Sequence, residues 1–374
     1  MTQLFQLRPP QKGVPKGDKP HLRGMSREEL EDWLKKELGV PRYRGEQVFR
    51  WLHEKRVRSF DEMSNLSKRH RAKLEELATI DSIEVDAVFE AKDGTLKLRL
   101  RTGDGELMES VLIPNEDRGY TQCISSQVGC AMDCQFCATA SLGLHRNLAA
   151  WEIVDQVYLA QDLLERQAQE RGDEWPGRIT NLVYMGMGEP LHNFNQVARS
   201  LELLMHDEGA AISGKRITVS SSGLVPAIER FGREGLGLEV GLAISLNATT
   251  DEVRDEVMPV NTRWNIEALL DAVKAVPRQR RRRLTFEYVL LADVNDSDED
   301  ARRLVRLLRN IECHVNVIPF NPHPHAPYRR PEPARINAFM HILRCSKVPA
   351  YLRTPRGDDI GAACGQLALE GEES

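Results

Sequence analysis

The sequence predicts an α/β protein, with a parallel sheet flanked by helices, preceded by a small helical unit and a short antiparallel sheet. Three observations carry this reading. Beyond residue 118, six apolar strand candidates alternate with amphipathic helix candidates, a pattern that builds a parallel sheet. Between residues 82 and 113 the apolar period is two, punctuated by Gly-containing turns. From residue 25 the period is helical.

Taken in order, residues 1–24 are rich in Pro, Gly and Lys and read as a disordered lead-in. Ser26 is then a good N-cap with Glu29 as its capping-box partner. Leu30, Trp33, Leu34 and Leu38 follow at helical spacing, and further helices fit 45–56 and 68–78. This helical unit, 25–80, carries Arg42, Arg44, Arg50, Lys55, Arg56 and Arg58, all expected to be exposed. The segment 81–115 contains three strands, SIEVDAVFEA, TLKLRLRT and ELMESVLIP, with turns at Lys92–Gly94 and Gly103–Gly105.

The strand candidates of the main domain, 116–366, are 119–125, 180–186, 216–221, 238–245, 284–291 and 313–320. Helices lie between them, for example 148–166, where Ile153, Val157, Ala160 and Leu164 form one stripe. Right-handed crossovers would curl such a sheet into an open barrel or a doubly wound sheet, and periodicity does not choose between them. Residues 367–374 form an acidic tail.

Composition narrows the class. Of 374 residues, 29% are charged and 41% hydrophobic, as in soluble globular proteins. No apolar run is long enough for a membrane span, and the first residues lack a secretory core, so a cytoplasmic protein without membrane contact is expected. The seven cysteines are odd in number, and three crowd into eight residues; metal or redox chemistry explains that better than a disulfide framework. The net charge of −5 hides an asymmetry, because residues 1–60 hold 14 Lys and Arg against 8 Asp and Glu. A basic region on an acidic body suits local RNA binding, although a solvated charged helix gives the same count. The run from Arg278 to Arg283 is a second basic candidate.

The sharpest motif is Cys130-x3-Cys134-x2-Cys137, placed just after the first strand of the β/α region. Three thiolates can hold three irons of a [4Fe–4S] cluster; full ligation takes four cysteines, so one iron stays open to an external ligand. The competing reading is structural zinc with Cys123 as fourth sulfur. Polar turns end four of the later strands: Met185–Pro190 with Gly188 and Glu189, Ser220–Gly223, Ser245-Leu246-Asn247, and Pro319–Pro322 with Asn321. Ligands of α/β sheets bind at such strand ends. Cys364 lies in a small-residue segment flanked by Gly361 and Gly365. It suits an inert core thiol less well than Cys313 and Cys345 do.

The cluster motif, with Phe136 before its last cysteine, resembles the radical S-adenosylmethionine superfamily. That resemblance implies a partial six-unit (β/α) barrel, a [4Fe–4S] cluster on Cys130, Cys134 and Cys137, and S-adenosyl-L-methionine chelated by the open iron. The segments YRGEQVFRWL, CISSQVGCAMDCQFCATASLG, MGMGEPL, SSSGLVPAI, AISLNA, IPFNPHPHAPY and RGDDIGAACGQLA together resemble the bacterial adenine-C2 RNA methyltransferase family, which acts on 23S ribosomal RNA and tRNA. The resemblance implies that Gly188, Glu189, Ser220, Ser245, Leu246, Asn247 and Asn321 bind S-adenosylmethionine. It makes Cys364 the methyl-carrying cysteine, Cys123 its disulfide partner and Glu109 the proton acceptor. It also implies a low-potential electron donor such as flavodoxin, and a monomer. The chemistry it implies suits adenine carbon 2, an electron-poor position that a carbon radical can attack and a polar methyl donor cannot. Related enzymes that methylate carbon 8 share these motifs, and a zinc-stabilised RNA-binding module is the non-enzyme alternative.

Overall fold

The computed structural model describes residues 19–115, 119–172, 177–279 and 284–369. The first eighteen positions of the expected lead-in, Arg280–Arg283 of the basic run and 370–374 of the acidic tail lie outside them.

The helical unit comprises α1 (Arg27–Leu38), α2 (Tyr43–His53) and α3 (Lys68–Leu77). Ser26 and Glu29 form the expected capping box, each closing on the other's backbone N–H, and Gly39 ends α1 in the left-handed conformation. Residues 19–24 are not a loose lead-in. Leu22 donates to the Thr79 carbonyl at 3.0 Å, and Thr79 donates to that of Pro20 at 3.0 Å. Leu22 and Arg23 are fully buried, because the Arg23 guanidinium reaches Asp155 at 2.9 Å and the Val57 carbonyl at 2.9 Å. Asp155 belongs to the helix Ala150–Arg171 of the main domain, so a buried ion pair fastens the helical unit to it.

Strands β1 (Glu84–Glu90), β2 (Leu96–Arg101) and β3 (Leu107–Pro114) run antiparallel, and β3 pairs antiparallel with β4 (Gly119–Cys123). The short sheet therefore continues directly into the main one. After β4 comes a separate hairpin of β5 (Gln127–Gly129) and β6 (Leu144–Asn147). The parallel part is β4, β7 (Arg178–Tyr184), β8 (Ile217–Ser221), β9 (Gly241–Ser245), β10 (Leu284–Leu290), β11 (Cys313–Pro319) and β12 (Ala350–Leu352).

Each parallel strand lies beside the next in sequence, in the order β4-β7-β8-β9-β10-β11-β12. A doubly wound sheet reverses its strand order part-way; this one never does. With right-handed crossovers, a constant direction of winding keeps the helices on one face and curls the sheet into a partial barrel. The six expected strands are present, and β12 extends them at the edge.

The candidate 238–245 is shorter than expected, since Leu236–Glu239 forms a helical turn. Gly237 packs so closely there that a Cβ would stand 2.5 Å from the Pro277 carbonyl oxygen. That contact, made by residues far apart in sequence, overrides the local strand pattern. Among the described residues no helix is long and apolar enough to cross a membrane.

Candidate active site

The carboxyl ends of the parallel strands surround an open cavity. Cys130, Cys134 and Cys137 form one wall; Gly188, Glu189, Ser220, Ser245, Asn247, Asn321 and Cys364 line the rest, together with Glu287. The sequence-predicted residues thus converge, with three exceptions. Leu246 is fully buried behind the wall, where its N–H donates to the Glu287 carbonyl at 3.0 Å and its carbonyl accepts from Arg254 at 2.9 Å. Cys123, at the end of β4, and Glu109, in β3, also lie off the cavity wall.

The cysteine loop is held by backbone bonds. Cys130 donates to the Gly143 carbonyl at 2.8 Å, and Cys137 to that of Cys134 at 3.0 Å. Burial pushes the Cys130 thiol up to about 12 and raises Cys134 and Cys137 too, Cys134 further by the nearness of Cys130 and Cys137. Three thiolates become favourable here only beside a strong positive charge, which is what iron supplies. In a cluster each iron takes its own sulfur.

Opposite this wall, Gly188 has φ +96°, and a Cβ there would lie 2.5 Å from Gln127 Cβ, so only glycine brings the turn this close. The turn points Glu189 into the cavity. Its carboxylate accepts from the Ser222 N–H at 2.7 Å and the Leu191 N–H at 3.1 Å. Burial raises its pKa while those donors oppose the rise. Ser220 Oγ donates to the Tyr184 carbonyl at 2.6 Å. Asn247 has φ +55°, a conformation Asn tolerates better than most residues. Its Oδ1 accepts from Val289 N–H at 2.8 Å, and its Nδ2 faces Met258 Sδ at 3.2 Å. That amide is largely committed to the protein. Asn321 Nδ2 donates to the Cys364 carbonyl at 3.1 Å.

The C-terminal segment is tied down over the cluster loop. The Ala138 N–H donates to the Gly365 carbonyl at 2.7 Å, and Thr139 Oγ1 to that of Leu367 at 2.7 Å. Cys364 has accessible surface, but it faces the cavity. Surrounding protein pushes its pKa up to about 12, with Glu287 and Cys137 adding to the effect. Cys123 is raised by burial and then by Cys364, so the two thiols lie within electrostatic reach.

Two residues of this site escaped sequence reasoning. Arg254 is fully buried. It donates to the Ser222 carbonyl at 2.7 Å, the Ser245 carbonyl at 3.0 Å and Asn261 Oδ1 at 3.0 Å, stapling the ends of β8 and β9. Burial lowers it to about 10. Glu287 is held by Asn316 Nδ2 at 2.9 Å; burial raises it to about 7. A carboxylate inside the apolar run LTFEYVL was its available signal.

Residues 21–80 match the Ribosomal RNA large subunit methyltransferase N-terminal domain, and residues 124–305 match the Radical SAM superfamily. The "Dual-specificity RNA methyltransferase RlmN 2" of Myxococcus xanthus is 48% identical over 348 residues, 93% of this chain and 90% of that protein. RlmN of Desulfotalea psychrophila is 45% identical over 94% of this chain and 96% of its own length. The chain belongs to the RlmN family. A crystal structure of a radical SAM methyltransferase from Sphaerobacter thermophilus agrees, with TM-score 0.84 and 44% identity over 94% of this chain and all of that one. As a radical SAM enzyme of the RlmN family, the chain takes a [4Fe–4S] cluster and S-adenosylmethionine as cofactors.

The basic residues of the RlmN-type N-terminal unit are less free than expected. Arg56 and Arg58 are half-buried against acids of the helix Ala150–Arg171. Arg56 meets Asp162 at 3.1 Å and Glu165 at 2.7 Å; Arg58 meets Asp155 at 2.6 Å and Asp162 at 3.0 Å. Arg42 pairs with Glu31 at 3.1 Å, Arg50 with Glu208 at 2.8 Å and Lys55 with Glu54 at 2.8 Å. Much of the patch is internally neutralised, Arg50, Arg56 and Arg58 by acids from another part of the chain and Arg42 and Lys55 by acids of the helical unit itself. Cys345, expected in a core, is exposed, its Sγ 3.4 Å from His341 Nε2; Cys313 is buried.

Proposed function

We propose that this enzyme methylates carbon 2 of adenine in 23S ribosomal RNA and in tRNA. One observation carries the reading: Cys364, remote in sequence, is folded onto the cavity that holds the three cluster cysteines, within electrostatic reach of Cys123. A cofactor-cleaving site alone has no need of that second pair of thiols.

When bound, the cluster and S-adenosylmethionine supply an electron, a methyl group and a carbon-centred radical. The chain's residues do the rest. Cys130, Cys134 and Cys137 would hold iron, and Glu189, fixed by Ser222 and Leu191, would accept hydrogen bonds from the cofactor's ammonium group. Ser220, Ser245, Asn247 and Asn321 complete the cofactor's surroundings. Cys364, as thiolate, accepts the methyl group and later links it to the base. Glu109 takes the proton from the ring carbon, and the ring's unpaired electron would return to the bound cluster. Cys123, as thiolate, then attacks Cys364 sulfur: the S–S bond forms as the bond from that sulfur to the methylene carbon breaks, and that carbon takes up a proton to become the methyl group; an external dithiol resets the pair.

The RNA must present an unstacked base. Tyr43 is 53% exposed, with the Arg44 guanidinium 5.1 Å from its ring, a platform suited to stacking a nucleotide. A low-potential donor of the flavodoxin kind completes the reaction. The test is anaerobic reconstitution with purified RNA and methyl-labelled cofactor, followed by nucleoside analysis. Label in 2-methyladenosine is expected; label in 8-methyladenosine, or none, overturns the proposal.

A further inference from the structure

We propose that Lys97 sets the charge state of Glu109 and thereby governs removal of the ring proton; the inference rests on Glu109 being the proton acceptor. Lys97 of β2 stands opposite Val111 of β3, and Arg99 stands opposite Glu109, so Lys97 and Glu109 are diagonal neighbours on one face. Lys97 Nζ lies 3.2 Å from Glu109 Oε1, with side chains 4% and 0% exposed. It also lies 5.2 Å from the Phe89 ring centroid. A buried ion pair is a poor source of stability compared with apolar residues of similar volume. Its presence beside the proposed base calls for a chemical reason.

The surroundings of Glu109 supply it. From the C-terminal segment the carboxylate meets backbone donors, the Leu369 N–H at 3.2 Å from Oε2 and that of Ala368. From β2, Arg99 is turned to Asp86 at 2.6 Å. Met187 and Ser125 meet only the backbone of Glu109. Lys97 is thus the charge acting most strongly on the carboxylate; it opposes the rise that burial causes. A proton acceptor must be a carboxylate before the step and a carboxylic acid after it, with the C–H electron pair left in the ring. Lys97 favours the ionised form of Glu109 in an enclosed place that favours the neutral acid.

Decay of the covalent RNA adduct in the reconstituted enzyme, followed by acid quench across pH, tests this. Wild type loses rate as pH falls through the Glu109 pKa. In Lys97→Met that acidic limb should move to higher pH by about one to three units, the usual effect of one close opposite charge. Lys97→Arg, still cationic, should return it. The Glu109 carboxyl of cluster-free protein labelled with 13C-glutamate, assigned with Glu109→Gln, should shift upward in Lys97→Met as well. Lys97→Gln replaces Lys97→Met if the latter does not fold. An unmoved limb, or equal loss in the Met and Arg variants at every pH, overturns the role of Lys97. A Glu109→Gln enzyme that resolves its adduct normally overturns the assignment of Glu109 instead.

Discussion

The Leu369 N–H donates to Glu109 Oε2 at 3.2 Å, so the segment that carries Cys364 also covers the proposed proton acceptor. Glu109 is fully buried beneath it.

Deleting residues 367–374 removes this bond and the one from Thr139 to Leu367. Each such bond contributes about 1 kcal/mol, so the loop opens more often. Alkylation of Cys364 by iodoacetamide in cluster-free protein should accelerate about tenfold or more, read by peptide mass spectrometry.

The cysteine roles separate by substitution. Cys364→Ala should abolish methyl loading and leave no RNA adduct. Cys123→Ala should load methyl normally and accumulate the adduct. Gel-shift of denatured enzyme–RNA samples and intact-mass analysis check both; methylated RNA from the Cys364→Ala enzyme would sink the mechanism.

Gly188→Ala places a Cβ in conflict with Gln127 and strains a positive φ. A loss of about 2 kcal/mol or more is expected, with weakened cofactor binding, measured by urea denaturation and equilibrium dialysis.

Glu287 gives a pH signature. Its folded pKa of about 7 exceeds the unfolded value of about 4.3. Below the unfolded value both states carry the proton and nothing is lost. As pH rises towards 7 the folded chain keeps a proton that the unfolded chain releases, so stability falls. The full penalty above that range is of order 3 kcal/mol. Glu287→Gln should therefore raise the melting temperature by a few degrees at pH 8 and leave it nearly unchanged near pH 4, below the unfolded pKa, checked by calorimetry of cluster-free protein.

Asp155 receives Arg23 at 2.9 Å and Arg58 at 2.6 Å in a fully buried position. Asp155→Ala leaves the buried Arg23 without its carboxylate, while Arg58 keeps only Asp162, and should cost about 3–5 kcal/mol. Urea unfolding should show the helical unit separating from the barrel at lower denaturant.

The sequence by itself determined what depends on neighbours along the chain. The capping box at Ser26, the period-two strands, the six parallel strands and the three-cysteine spacing are all local patterns, written within a few residues by hydrogen-bond geometry and side-chain alternation. The tertiary structure alone decided what depends on distant segments meeting. It chose an open barrel over a doubly wound sheet through strand order. It turned Arg56 and Arg58 from expected free cations into partners of one acidic helix face. It buried Leu246 behind the cavity, brought Glu287 to its wall, set Arg254 under the ends of β8 and β9, and placed Lys97 against Glu109 beneath the C-terminal segment. Periodicity reports which face of an element is apolar. Which charge a buried carboxylate meets there depends on the register between strands and on the path of the returning chain.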